Sequence, residues 1–180
     1  MMARKLKVAT VSLAGCFGCH MALLDLDERI VELAQRIELA RSPISDLRQR
    51  GRYDLCLVEG GLCNVENAEV LRELRARSDV LVAVGACAIF GGVPALRNRY
   101  PLADCLAESY LSGPGLADPQ VPSDRELPRL LDEVVPIHSL VTVDFSIPGC
   151  PPPAQAFWTV LNQLIQGEPL SLPAELVRYD

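Results

Sequence analysis

Apolar residues along this chain fall in short continuous runs separated by longer stretches in which they recur every three or four positions. KVATVSLA (7–14), YDLCLVEGG (53–61) and DVLVAVGAC (79–87) are unbroken by regular polar alternation, and each ends at or next to glycine. Such runs predict strands buried on both faces. Between the first two, Leu23, Leu26, Ile30, Leu33, Ala34 and Ile37 predict one amphipathic helix from His20 to Arg41, closed before Ser42-Pro43. A second helix is expected over Asn64 to Arg77 and a short one around Leu102 to Leu111. The segment VVPIHSLVTVDFSIPGC predicts a final strand, with Pro136 limiting where pairing begins. AQAFWTVLNQLIQ supplies a last helix after three prolines, stopped by Gly167 and Pro169. Strand and helix alternate, so the pattern predicts an α/β fold with a mainly parallel sheet and helices on both faces.

Length leaves room for one domain, residues 1–180, that buries about 70% of the surface of its unfolded chain without needing disulfides. A net charge of -6 argues against a nucleic-acid partner. Basic residues and an apolar run at the start superficially resemble an export signal. The run is short, contains Thr10 and Ser12, and meets two cysteines instead of a cleavage site, so it reads as a strand. No stretch approaches the roughly 18 apolar residues of a membrane span. The expected location is the cytoplasm, where seven cysteines, an odd number, point to metal or catalysis rather than to disulfides.

Those cysteines carry the chemistry. Cys16, Cys19 and His20 spell C-x-x-C-H, which is open to three readings: haem attachment, redox dithiol or half a metal site. Cys16 and Cys19 follow the first strand, Glu59 and Cys63 the second, Cys87 the third and Cys150 the last, all therefore at one end of one sheet, where open parallel sheets bind ligands. Four thiolates from three loops are a usual ligand set for a [4Fe-4S] cluster, assigned here to Cys16, Cys19, Cys87 and Cys150. A four-cysteine zinc site competes, although structural zinc prefers two close C-x-x-C pairs. Haem attachment lacks an export signal, and a redox dithiol leaves Cys87 and Cys150 unexplained. Cys56 and Cys105 read as core, Cys63 as structural, and His20 and His138 as a helix-start residue and a sheet residue, not ligands. Glu59, a carboxylate ending an apolar strand, needs a hydrogen-bond partner or a function.

Taken together, CFGCH, VEGG, GACA and IPGCPPP resemble the small, electron-transfer subunit of [NiFe] hydrogenases, over residues 6 to 166. Most similar are the short cytoplasmic subunits of bidirectional, NAD-reducing enzymes. The resemblance implies a flavodoxin-like fold and one [4Fe-4S] cluster on Cys16, Cys19, Cys87 and Cys150. It implies a nickel-iron centre in a separate large subunit, diaphorase subunits carrying flavin and further clusters toward NAD, and a Glu59 close to cluster and interface. The twin-arginine leader and cluster-bearing extension of exported relatives are not seen. Respiratory complex I, whose related subunit reduces quinone, has adjacent cysteines where this chain has Cys16-Phe17-Gly18-Cys19. A flavodoxin-like sheet binds FMN at this end, but a cysteine loop in place of a hydroxyl-rich phosphate loop argues against FMN here.

Overall fold

The computed structural model describes residues 4–179; Met1 to Ala3 of the leader-like stretch and Asp180 of the tail lie outside the described residues. Its strands are β1 (Leu6–Ser12), β2 (Ile37–Arg41), β3 (Tyr53–Glu59), β4 (Leu62–Asn64), β5 (Ser78–Val84), β6 (Leu130–Val135) and β7 (Phe145–Ile147). Its helices are α1 (Gly18–Leu24), α2 (Arg29–Arg36), α3 (Val65–Arg77), α4 (Gly85–Phe90), α5 (Leu102–Tyr110) and α6 (Ala154–Gln166). Five strands form one parallel sheet in the order β2-β1-β3-β5-β7. Counted within that sheet the order is 2-1-3-4-5, the flavodoxin-like winding.

The continuous apolar runs have the expected cause. On one face Val8, Leu55, Leu57, Val82 and Ile147 meet Leu26, Leu33, Phe157, Val160 and Leu161 from the segments around α1, α2 and α6. On the other, Ala9, Cys56, Val58, Leu81 and Ala83 meet Leu71, Leu74 and Ala88 of α3 and α4. Since both faces are covered, a polar residue inside a strand needs a buried hydrogen-bond partner, as Thr10 of β1 has. α3 starts where its cap chemistry says it should: the Asn64 side chain accepts the Asn67 N–H at 2.8 Å.

Two elements depart from the sequence expectation. The single helix over His20 to Arg41 is in fact α1, a turn in which Asp27 takes φ 52°, then α2, and then a strand. β2 lies at the sheet edge, pairing with β1 through Leu6–Ile37 and Val8–Leu39. Helical spacing runs through Leu33 and Ala34 to Ile37, and the same Ile37 begins a two-residue alternation. Ile37 and Leu39 pack on one face and Ala40 on the other. The unpaired edge of β1 settles the choice.

The expected final strand is likewise divided. Only Phe145–Ile147 joins the main sheet, while β6 pairs antiparallel with β4 in a separate ribbon. Pro136 ends β6, and Val141 and Val143 pack beside the α3 face without entering a ladder. His138 is exposed in a 3-10 turn, Ile137–Ser139, and is not a sheet residue. Among the described residues no helix is long and apolar enough to cross a membrane.

Candidate iron-sulfur site

The ladder register builds the site. Ser12 stands opposite Glu59, Glu59 opposite Val84, and Val84 opposite Ile147, one row across the carboxyl ends of β1, β3, β5 and β7. Every cysteine of the proposed set leaves from that row: Cys16 and Cys19 after Ser12, Cys87 after Val84, Cys150 after Ile147. Backbone bonds hold the departing loops together. Ala14 and Gly61 exchange N–H···O bonds of 3.0 and 2.8 Å, and the Ala86 N–H donates to Gly149 O at 2.9 Å, tying the start of α4 to the Cys150 loop.

Backbone is packed tightly against the sulfur atoms. At Gly85, with φ +80°, a Cβ would sit 2.4 Å from Cys19 Sγ, and at Gly92, with φ +50°, one would sit 2.9 Å from Cys87 Sγ. Only glycine fits a left-handed backbone this close to a thiol. Phe17, between Cys16 and Cys19, also has positive φ, 67°, an uncommon choice for an aromatic residue that costs about 1–2 kcal/mol. Its ring stacks on His20 with centroids 4.6 Å apart, which holds the loop in that shape.

Cys19 and Cys87 feel their surroundings and the neighbouring cysteines. Burial pushes the Cys19 thiol well up, and the nearby Glu59, Cys87 and Cys16 add to it. Burial also raises the Cys87 thiol, followed by the charges of Cys150 and Cys16. Negative groups gathered this closely are eased by a bound cation, and thiolate donors suit iron-sulfur or zinc. Cys16 and Cys150 are exposed, Cys19 and Cys87 half-buried, and all are unpaired. Among the described residues no three Cys, His, Asp or Glu groups stand close enough to share one metal ion.

Behind the thiols runs a buried polar string. Glu59 is 3% exposed, and its carboxylate accepts the Ser12 hydroxyl at 2.7 Å and the His20 backbone N–H at 3.0 Å. His20 Nδ1 lies 3.1 Å from the same carboxylate, Nε2 lies 2.9 Å from Thr10 Oγ1, and Thr10 and Ser42 hydroxyls are 2.8 Å apart. Burial alone would raise the Glu59 pKa, but the bonds from His20 and Ser12 outweigh it and hold the carboxyl below its ordinary value. The expectation that Glu59 is not left bare is met. From residue type and spacing His20 reads as a helix-start residue, and Thr10, Ser12 and Ser42 carry no site role. The only signal for them was polarity inside an apolar strand, at Thr10 and Ser12.

The remaining cysteines separate. Cys56 is fully buried under α3, as expected. Cys105 is half-buried on α5 and is not a core residue, because α5 buries none of its side chains fully. Cys63 sits in β4 with its thiol 3.3 Å from Asn67 Oδ1.

Known proteins share this sequence and geometry. The family model described as NADH ubiquinone oxidoreductase, 20 Kd subunit, matches residues 16–164. The NAD-reducing hydrogenase HoxS subunit delta of Cupriavidus necator is 44% identical over 181 residues, covering 98% of this chain and 86% of that one. A sulfhydrogenase 2 subunit delta from Pyrococcus furiosus is 31% identical over 168 residues; the match takes in 92% of this chain and 65% of the archaeal one. A chain in the crystal structure of a NAD+-reducing [NiFe]-hydrogenase in the H2-reduced state superposes with a TM-score of 0.96 at 48% identity, covering 98% of this chain and 100% of that one.

Proposed function

The chain belongs to the NADH ubiquinone oxidoreductase 20 Kd subunit family, and we propose that it serves as the electron-transfer subunit of a cytoplasmic, NAD-linked [NiFe] hydrogenase. The observation that carries this reading is the convergence of Cys16, Cys19, Cys87 and Cys150 on one sheet end, with glycine backbone closed around the sulfurs. These four residues would hold one [4Fe-4S] cluster, which when bound accepts and passes single electrons. The chain's own part is to present thiolates in a fixed frame, to keep Glu59 and His20 against that frame, and to exclude water with the strand ends. As a single domain with one cluster, it cleaves no hydrogen; that falls to a large subunit holding nickel and iron.

Exposed apolar residues support a partner at this end. Met21 follows Cys19 closely, and Phe90 and Val93 follow Cys87; they are 52%, 47% and 67% exposed. Exposed apolar side chains of this kind, close in the chain to the half-buried Cys19 and Cys87, suit burial against another subunit. Onward electrons would pass to diaphorase subunits with flavin and further clusters, then to NAD. Seven unpaired cysteines favour a reducing compartment. The family's name mentions ubiquinone, but the C-F-G-C spacing and the hydrogenase relatives favour hydrogen over quinone chemistry. Ligands drawn from three separate loops, rather than from two close C-x-x-C pairs, disfavour a zinc staple.

Anaerobic purification tests the reading: iron and sulfide should accompany the chain, zinc and nickel should not, and the pure chain should reduce no dye with hydrogen. Zinc without sulfide would end the cluster assignment. Hydrogen-dependent reduction by the nickel-free chain would end the division of labour.

Glu59 gives a finer expectation. Held below its ordinary pKa, it is charged at neutral pH, and a nearby negative charge opposes the addition of an electron. Glu59→Gln is expected to raise the reduction potential by the equivalent of about 1–2 kcal/mol, an interaction of ordinary size at an effective dielectric of about 20. Redox titration at constant iron content measures it, and superimposed curves for the two proteins would reduce Glu59 to a well-bonded strand end.

A further inference from the structure

We infer that the cavity between α2 and the loop after β2 binds a neutral aliphatic molecule carrying one hydrogen-bonding group, which pairs with Ser45 Oγ. The cavity measures about 340 Å³. The sheet supplies its floor through Val8, Leu39 and Leu57, and the helical segment supplies a wall through Leu26, Ile30 and Leu33. Ile44, Ser45 and Leu47 close the side toward solvent. Their loop is pinned to the outer edge of β2, where the Gln49 N–H donates to Ala40 O at 2.8 Å and the Ser42 N–H to Leu47 O at 3.2 Å. Small-molecule sites ordinarily span about 300–1,000 Å³, and a dry apolar cavity of roughly 150 Å³ already takes benzene, so this one has room for an occupant larger than that.

The lining selects the chemistry of the occupant. Thirteen of the sixteen lining residues are aliphatic and none is aromatic, so the cavity offers dispersion contact on every side but no ring face for a flat aromatic or a cation. Its three polar members are Thr10, Glu38 and Ser45. The first two are already engaged: the Thr10 hydroxyl donates to Ser42 Oγ at 2.8 Å, and Glu38 Oε1 accepts Gln49 Nε2 at 3.0 Å. Ser45 Oγ is buried and, among the described residues, has no hydrogen-bond partner. A buried hydroxyl left unpaired is costly, and a single hydroxyl or carbonyl on an otherwise apolar occupant removes that cost. A charged head of either sign would lose its hydration to an aliphatic lining, and a carboxylate would also be repelled by Glu38.

The place of this cavity in the fold gives it reach. Thr10, Leu23 and Leu57 border both the cavity and the small void lined by Cys19 and Glu59, so one layer of side chains separates the occupant from the cysteine frame. Binding itself does not depend on what those cysteines hold, and its failure is therefore distinct from a failure to find iron and sulfide.

Octanol and octane, equal in length and differing by one hydroxyl, are the probes, added to the anaerobically purified full chain and followed by methyl NMR. Octanol is expected to shift the methyl signals of Ile30, Leu33, Leu39 and Leu57 saturably and to leave Leu71 and Leu74, on the opposite face of the sheet, in place. Ser45→Ala should weaken octanol about 2- to 10-fold, the worth of one hydrogen bond, without changing octane, and Ser45→Thr should keep the preference for octanol. Ser45 is half-buried in a surface loop, so these variants leave the core intact. Octanoate should bind more weakly than octanol. Shifts that do not saturate, or that reach Leu71 and Leu74 equally, overturn the site. An octanol affinity unmoved by Ser45→Ala overturns the polar contact, and octanoate binding more tightly than octanol overturns the neutral class.

Discussion

Cys87→Ser is expected to strip most of the iron and sulfide from anaerobically purified protein, whereas Cys56→Ala retains them. Cys87 is the third residue of α4, its thiol lies against Gly92, and its charge is coupled to those of Cys16 and Cys150. A serine hydroxyl is a harder and far more basic donor, so it does not supply the thiolate that an iron-sulfur site requires. Burial pushes the Cys56 thiol up to about 12, so it stays protonated beneath α3 and serves only as packing. Its loss costs about 1 kcal/mol of stability, the usual scale for a small core change, and leaves the spectrum alone. The same chemistry predicts the effect of pH. Binding requires deprotonated thiols, and burial and mutual repulsion raise Cys19 and Cys87, so acidification should release iron. Iron and sulfide content across pH, with visible absorption, checks both statements. A full and spectrally unchanged cluster in the Cys87→Ser protein would remove that residue from the site.

Gly85→Ala should come next in severity, and a second glycine separates its two causes. Gly85 has φ +80°, and an added Cβ would meet Cys19 Sγ at 2.4 Å and Gly149 O at 3.4 Å. The substitution therefore adds backbone strain to a direct collision at the cysteine frame. Gly115 also has φ +80°, but a Cβ there meets nothing within 4 Å. Gly115→Ala is expected to cost only the strain, about 1–2 kcal/mol, with the cluster intact. Gly85→Ala is expected to cost that amount or more and to lose most of its iron, because Cys19 or the Cys150 loop must move. Denaturation midpoints and iron content of both variants measure the difference. Equal losses of stability with full iron in both would show that the contact at Cys19 is slack.

The strand-end placement of Cys16, Cys19, Glu59, Cys87 and Cys150 was legible because it depends on local information. A continuous apolar run needs both faces covered, a glycine ends it, and whatever follows must lie at the carboxyl edge of a parallel sheet. The same logic located α3, α6, β3 and β5. It failed at Ile37–Arg41, where helix and strand periods coincide over too few residues to differ and the free edge of β1 decides. It failed again after Pro136, where apolar residues are buried by packing without pairing, since hydrophobicity reports burial and not which backbone partner is present. The polar string lay furthest out of reach. Thr10, His20, Ser42 and Glu59 are distant in the chain, and the register of β1 against β3 together with the loop after β2 brings them within hydrogen-bond range. Which residues could hold metal was thus determined by type and spacing along the chain, whereas which polar groups face them was decided by strand pairing, because a hydrogen bond depends on distances that only the folded sheet supplies.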